Sequence, residues 1–274
     1  MIKTNQAKSL MRNILIVGVV AILASCGYQL VTKTTDSESS KDSYQRQSMG
    51  PPPDFAAMHN IDARKAEFFD YMRDGIQNEN QRILHERQQL KQIKQTLDNG
   101  DTLSKKEKVN AKLLGELYDL KINGGVVTKK WVNHMLRRVD VIPEALALSQ
   151  AANESAWGTS RFARNANNFF GQWCYQSGCG LVPKQRGADM THEVAKFSSV
   201  SQSIHRYFMN VNRNKAYQPL RHIRYERRQR GEKILSTQAA LKLVQGLTNY
   251  SERGQEYVNI ISSMIKHNEQ YWEY

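Results

Sequence analysis

The chain has 274 residues, of which 40% are hydrophobic and 24% charged, and its formal net charge at pH 7 is +13. Enough apolar side chains are present to bury a sizeable core, in one large or two small domains, which excludes a wholly disordered protein. The excess of Lys and Arg favours anionic surroundings.

The first residues have the pattern of an export signal. A basic segment precedes the apolar run NILIVGVVAI, and LASC follows directly. This run is shorter than the roughly 20 residues that a membrane-spanning helix needs. The ending LASC resembles the lipobox of bacterial lipoproteins. The resemblance implies a signal peptide over residues 1–25 and lipidation of Cys26, and Gly27 after it favours the periplasmic face of the outer membrane. An uncleaved anchor with an incidental cysteine is the alternative.

A polar segment follows the cysteine. TKTTDSESSKDSYQRQSMGPPPD is rich in Ser and Thr and closes on three prolines. Such a composition buries too little apolar surface to fold, and prolines stiffen a chain locally. We expect a flexible linker over residues 26–54.

Residues 55–130 have helical periodicity. Apolar residues recur about every seven positions at Phe69, Ile76, Ile83, Leu90 and Leu97, and DNGD ends the run. The pattern predicts a long helix with one buried stripe. Glutamates interrupt the stripe that a coiled-coil partner would need, so we favour a hairpin packed against the following domain.

Two shorter helices are expected next. The first begins at Ser104, whose spacing to Glu107 is that of a capping box, and ends at NGG. Its apolar face contains Val109, Leu113, Leu117 and Leu120. A further helix is expected from Thr128 to about Val139.

Glu154 ends an apolar helix. PEALALSQAANES begins with a proline suited to a first helical turn and contains small alanines that allow close helix packing. Ala147, Ala151 and Glu154 share one face. Burial would raise the pKa of the carboxyl group, as a general acid at neutral pH requires. A helix cap, or an ion pair with Arg161 or Arg164, is the structural alternative.

The stretch ALALSQAANESAWGTSRFARNANNFFGQW resembles the signature of bacterial cell-wall glucosaminidases, glycoside hydrolase family 73. In that family a helix ends in Glu-Ser-x-Trp-Gly, and an Asn-Asn-x-Phe-Gly turn follows. Weaker similarity extends to LTNYSERGQEYVNIISSMI. The resemblance implies a mainly α (α+β) fold, with a lysozyme-like helical catalytic domain and a small β-lobe over residues 131–274. It also implies peptidoglycan as substrate, Glu154 as general acid and Tyr250 lining the site.

Glycosidic cleavage also needs a second group that activates water or stabilises the positively charged sugar. The family places an acid in the β-lobe, where this chain offers Asp189 and Glu193. The tripeptide Thr191-His192-Glu193 resembles the family's Thr-x-Glu element, so Glu193 is the candidate. The interval between Gly171 and Phe197 is short for the family. Assistance by the substrate's own acetamido group is the alternative.

Aromatic and amide side chains near the turn are candidates for sugar binding. Flat rings stack on the C–H faces of sugars, and amides bond to hydroxyl and acetamido oxygens. Core packing is the alternative for the aromatics, particularly for Trp157, and turn formation for the amides. The candidates are Trp157, Asn168, Phe170, Gln172 and Trp173.

Cysteine usage agrees with export. Cys174 and Cys179 lie five positions apart in CYQSGC, and an oxidising periplasm would join them as a disulfide. A cysteine peptidase with His192 or His205 as base is the competing enzymatic interpretation. Neither His-Glu pair continues to H-E-x-x-H, so we expect no metal and no cofactor.

The basic run RHIRYERRQRGEK is expected to be a solvated surface with a weak contact to substrate. Export excludes nucleic acid as the partner. The sequence therefore favours a lipid-anchored peptidoglycan hydrolase of the β-N-acetylglucosaminidase type. A lytic transglycosylase or muramidase is the first alternative, and a non-catalytic lipoprotein that binds glycan or a partner enzyme is the second.

Overall fold

The computed structural model describes residues 49–183 and 191–272, which belong to one compact unit. A single hydrophobic core extends from Phe55 to Ile265. The boundary expected at residue 130 therefore does not separate two cores. The signal peptide, Cys26, most of the linker and Asp189 lie outside the described residues.

Helix α1, Ile61–Asp98, is the longest element. Asn60 caps it by accepting a hydrogen bond from the Ala63 N–H. The expected stripe is confirmed at Phe69, Ile76 and Ile83, which are fully buried. The helix packs against the helices Lys129–Arg138, Glu144–Ser155 and Val200–Arg213, so α1 forms one wall of the fold and does not lie apart from it.

The end of the expected linker already packs on α1. The Tyr71 hydroxyl donates to the Gly50 carbonyl oxygen at 2.8 Å. Met49 lies so close to Gly75 that an added Cβ there would meet its Sδ atom at 2.4 Å. Met49 and Gly50, near the end of the expected linker, therefore contact this helix.

Helix α2, Lys105–Leu117, begins with the predicted capping box. Helix α3, Lys129–Arg138, lies within the range expected for it, and Thr128 caps it. Of the apolar residues expected on one face, Leu117 and Leu120 pack against the core, whereas Val109 is 49% and Leu113 57% exposed. The helix also buries Ala111, Leu114 and Gly115. An added Cβ on Gly115 would meet the Leu120 carbonyl oxygen at 2.9 Å, which shows how closely this face approaches the following chain.

The next segment contains α4, Glu144–Ser155, and the short α5, Arg161–Ala166. A small antiparallel sheet follows, formed by β1, Trp173–Cys174, β2, Gly180–Leu181, and β3, Glu193–Ala195, in the order β1-β3-β2. Cys174 and Cys179 are joined as a disulfide, with Cα atoms 6.2 Å apart. This sheet is the expected β-lobe of a mainly helical protein.

Four helices complete the fold: α6, Val200–Arg213; α7, Gln218–Gln229; α8, Thr237–Leu243; and α9, Gln255–His267. In the described part of the chain, no helix combines the length and apolarity needed to cross a membrane.

The basic run on α7 is largely structural, so its expected role as a solvated surface is wrong. Arg224 is fully buried and donates to the Asp140 and Val141 carbonyl oxygens at 2.9 and 3.0 Å, and to Asn212 Oδ1 at 2.8 Å. The Arg228 guanidinium pairs with Asp140 at 2.8 Å. These bonds satisfy carbonyl groups just after α3 and anchor α7 to it.

Candidate active site

Glu154 lies in the last turn of α4, where the chain leaves the helix abruptly. Ala156, Trp157 and Gly158 all have left-handed backbones, with φ of 50°, 58° and 76°. Only glycine fits at the third position, because an added Cβ would meet Phe55 Cδ2 at 2.3 Å. The signature Glu-Ser-x-Trp-Gly therefore encodes a tight turn after α4, and this turn packs against Phe55 in the N-terminal part of the fold.

The second half of the signature packs against the carboxylate itself. Gly171 has φ of +62°, and a Cβ added there would lie 2.9 Å from Glu154 Oε2. The Asn-Asn-x-Phe-Gly turn thus passes so close to the acid that no side chain fits between them at Gly171. Glycine is required here for its backbone conformation and for the space left to the carboxyl group.

Burial raises the pKa of Glu154 above its ordinary value. Hydrogen bonding from Asn153 and Tyr257 and the positive charge of Arg253 act in the opposite direction, but burial dominates. The side chain is nevertheless half-buried and not sealed off. A carboxylic acid that keeps its proton to higher pH and still meets solvent has the properties of a general acid.

A buried chain of polar groups leads to Glu154. The Tyr207 hydroxyl donates to Gln150 Oε1 at 2.7 Å, and Gln150 Nε2 donates to the Tyr257 hydroxyl oxygen at 2.9 Å. Because Tyr257 accepts from Gln150, its own proton is left for Glu154, with which it interacts. The three side chains are at most 2% exposed. This chain fixes the direction of the hydrogen bond to the acid.

Tyr250 lies in the same cluster. Its ring stacks on Tyr257 with centroids 5.4 Å apart, and its hydroxyl donates to the Phe170 carbonyl oxygen at 3.0 Å. Burial raises the pKa of Tyr250 well above its ordinary value, and the negative charge of Glu154 adds to the effect. Tyr250 is therefore a neutral donor that holds the Asn-Asn-x-Phe-Gly turn beside Glu154.

Three of the expected sugar-binding residues support the turn instead. Asn168 is 1% exposed, and its amide donates to the Gln172 and Ala195 carbonyl oxygens at 2.8 and 2.9 Å. The Gln172 side chain donates to the Ser203 carbonyl oxygen at 2.9 Å. The Phe170 ring is buried and stacked on Tyr207 at 4.1 Å, so no ring face is open to a sugar. For these residues the structure supports the alternative interpretation, turn formation and core packing.

The two tryptophans differ. Trp157 packs against Phe68 and Phe69 with centroids 5.8 and 5.1 Å apart, which gives it a role in packing on α1. Trp173 is 48% exposed and stacked on His192 at 4.0 Å. Trp173 is thus the expected sugar-binding residue whose aromatic surface is most available to a ligand.

Glu193 lies on β3 and is 6% exposed. Its two carboxylate oxygens accept hydrogen bonds from the Gly178 and Gly180 N–H groups at 2.9 and 2.7 Å. In this arrangement the carboxylate holds the disulfide loop. Its expected role as second catalytic acid stays a prediction.

One cluster of potential metal ligands lies beside the disulfide, in the described part of the chain. Ligand atoms of Cys174, Cys179 and Glu193 lie within 4.8 Å of one another. The two sulfur atoms are joined in the disulfide and are not thiolate ligands. This cluster therefore gives no support for a metal ion.

Sequence reasoning missed Gln150 and Tyr257. Gln150 could have been found, because it precedes Glu154 by one helical turn and so shares its face. Tyr257 lies 107 positions from Gln150 and carries no local signal that relates it to the acid.

Comparison with known proteins agrees with this geometry. Residues 129–270 match the Glucosaminidase family model, described as mannosyl-glycoprotein endo-beta-N-acetylglucosaminidase. The chain belongs to the glucosaminidase family. It is similar to Protein bax of Escherichia coli (strain K12), with 32% identity over 236 residues, which cover 84% of this chain and 80% of that protein. No solved structure matched. Family membership indicates an enzyme of the glycoside hydrolase type.

Proposed function

We propose that the protein cleaves the glycan strands of peptidoglycan as a β-N-acetylglucosaminidase, with Glu154 as the general acid. The observation that carries the proposal is the carboxyl group at the end of α4, with its raised pKa and its contact with Gly171. Because its pKa is raised, the carboxyl group keeps its proton to higher pH than an exposed glutamate, and it can deliver that proton to the oxygen of the departing sugar as the glycosidic bond breaks.

Residues around the acid keep it in position for this step. Tyr257 donates to the carboxyl group, and Tyr250 holds the turn that contains Gly171. Arg253 is a nearby positive charge that favours the carboxylate left after proton transfer. Trp173 offers an exposed ring for a sugar face.

The second group of the reaction has two candidates. The Glu193 carboxylate is buried and accepts a backbone hydrogen bond at each oxygen, so this role needs water or the sugar to approach a buried group. The acetamido group of the substrate needs no such approach. Glu193→Gln distinguishes them. Loss of turnover in a stably folded variant supports the carboxylate, and retained turnover supports substrate assistance.

The decisive experiment on the acid is Glu154→Gln, assayed on purified sacculi. We expect a fall in turnover of about 10² to 10⁴-fold with little change in glycan binding. Glu144→Gln is a matched control, because Glu144 begins the same helix and pairs with Arg73 at 2.7 Å. It should lower the melting temperature and leave turnover per folded molecule near normal.

Stability gives an independent readout. Because burial raises the pKa of Glu154 above the ordinary 4.5, its proton stabilises the fold fully below pH 4.5. That contribution is lost as the pH rises through the raised value. A glutamine cannot ionise, so the variant should be no less stable than the parent at neutral pH. A destabilised Glu154→Gln variant with near-normal turnover per folded molecule would refute the assignment.

Product analysis separates the related activities. A glucosaminidase leaves N-acetylglucosamine at new reducing ends, a muramidase leaves N-acetylmuramic acid, and a lytic transglycosylase leaves an anhydro end. Mass spectrometry of the fragments identifies each. Glycan binding without any released product would favour the non-catalytic alternative.

We also propose that the enzyme acts at the periplasmic face of the outer membrane, tethered through Cys26. The support is the LASC ending and the polar segment after it. A stable anchor needs more than one acyl chain. Cys26→Ala should release the protein from the membrane fraction. Shortening the segment before residue 49 should weaken action on intact wall and spare soluble glycan fragments.

A further inference from the structure

A groove lies between the end of α1, α2 and the segment before α3. It has a volume of about 1020 Å³ and is open to solvent. Its walls are aliphatic, and they include two strongly exposed side chains, Val109 and Val126, at 49% and 65%. Leu113, one turn beyond Val109 on α2, is 57% exposed. Concentrated exposed apolar surface of this kind marks interaction sites in soluble proteins.

The groove has a predominantly cationic edge. Lys105, Lys108, Lys112 and Lys121 line it, against the two acids Asp101 and Glu116. No side-chain hydrogen bond or ion pair joins these four lysines to another described residue. We call this feature the lysine-rimmed groove. An apolar floor beneath uncompensated ammonium groups is complementary to an anionic ligand with apolar side chains.

The groove is separate from the hydrolase site in sequence. Its lining residues run from Leu97 to Val127, and the family model begins at residue 129. None of these lining residues forms a hydrogen bond or an ion pair with Glu154. An account of the glycosidase reaction therefore does not explain why this surface is apolar.

We propose that the lysine-rimmed groove binds an acidic, amphipathic helical segment of a partner protein. A helix that presents apolar residues at one face fits an apolar groove, and its acidic residues then meet the lysines at the edge. A concave, open groove suits inserted side chains. Peripheral membrane binding instead uses a protruding apolar face that enters the bilayer.

The test uses the full chain and a fluorescein-labelled helical peptide of about 16 residues, with leucines along one face and glutamates elsewhere. Fluorescence anisotropy should show saturable binding that weakens as salt is added. The same peptide with lysine in place of glutamate should bind at least about tenfold more weakly, as should one with serine in place of leucine.

Variants locate the binding site. Val109→Ser combined with Val126→Ser should weaken binding of the acidic peptide at least about tenfold, and Lys108→Glu with Lys112→Glu should do the same. These side chains are exposed, so the melting temperature should stay near that of the parent. Leu235→Ser is the matched control, since Leu235 is 50% exposed and does not line the groove.

Several outcomes would overturn the proposal. One is that no binding of the acidic peptide is seen at concentrations up to about 1 mM, because a dissociation constant above that value is too weak for a specific interaction. Another is equal binding by the groove variants or by the lysine peptide. Vesicles containing phosphatidylglycerol are tested in parallel. If these vesicles bind the protein and the same variants abolish that binding, the groove is a membrane contact and not a peptide site.

Discussion

Replacing Tyr257 by phenylalanine tests the chain of hydrogen bonds that leads to Glu154. The change removes one oxygen atom, which accepts from Gln150 Nε2 at 2.9 Å and directs its proton to the acid. Hydrogen bonding from Tyr257 lowers the pKa of Glu154 against the larger effect of burial. Its loss should raise that pKa further. A general acid acts only while protonated, so the alkaline limb of the kcat profile should move to higher pH.

The stability cost follows from the same contact. Gln150 is fully buried, and its amide would lose an acceptor in the variant. Leaving a buried donor unsatisfied costs about 1 to 3 kcal/mol. In a folded unit of this size, each kcal/mol lowers the melting temperature by about 2 to 4 °C. We therefore expect a decrease of roughly 2 to 12 °C.

The matched control is Tyr207→Phe. Tyr207 donates to the other end of the same amide, at 2.7 Å, and its interactions do not include Glu154. This substitution should lower the free energy of unfolding by a similar amount and leave the alkaline limb of the kcat profile unshifted. Turnover is measured on sacculi across pH for both variants, beside thermal melts. An unshifted limb in Tyr257→Phe, or the same shift in both variants, would refute the role assigned to Tyr257.

Three further tests probe the site and its support. Gly171→Ala places a Cβ 2.9 Å from Glu154 Oε2, which crowds the proposed general acid, and should reduce turnover at least about tenfold. Gly178→Ala, with positive φ but open space, controls for backbone strain. Burial raises the pKa of Glu79, but hydrogen bonds and positive charges of its neighbours lower it overall from 4.5 to about 2. The ionised carboxylate therefore stabilises the fold by about 3 kcal/mol above pH 4.5, and this contribution is lost as the pH falls toward 2. In Glu79→Gln, chemical denaturation should show a lower free energy of unfolding at pH 7 and a smaller loss of stability in acid. Denatured, unreduced protein should release no free thiol from Cys174 and Cys179, and two reactive thiols would contradict the disulfide.

Local patterns predicted several elements correctly. The heptad-like stripe of α1 is buried at Phe69, Ile76 and Ile83, because an apolar face of a long helix must be covered by something. The capping box at Ser104 and the helix after Thr128 were also confirmed. Each of these features depends on residues within a few turns of one another, so the sequence contains all the information that they require.

The apolar face of α2 is covered only in part, at Leu117 and Leu120. Val109 and Leu113 have helical spacing, but a second face of the helix, with Ala111 and Gly115, allows closer packing. Periodicity identifies a candidate face and does not identify the surface that will cover it. Where a small-residue face can approach its neighbours more closely, tertiary packing selects that face.

The basic run of α7 shows the corresponding limit for charge. Six basic residues in a short stretch are typical of a solvated surface, yet Arg224 is buried among carbonyl oxygens that belong to residues more than 80 positions earlier. A buried guanidinium is tolerated when its donors are satisfied, and the acceptors come from a distant segment.

The sequence by itself determined where the catalytic candidate lies, since helical periodicity and a short signature place Glu154 at the end of an apolar helix. Only the tertiary structure decided what surrounds it. It brought Tyr257 to the acid across about a hundred residues and used Asn168 to hold the turn. The physical reason is that a buried polar atom must find a hydrogen-bond partner, and that partner is set by the folded chain as a whole and not by neighbours in sequence.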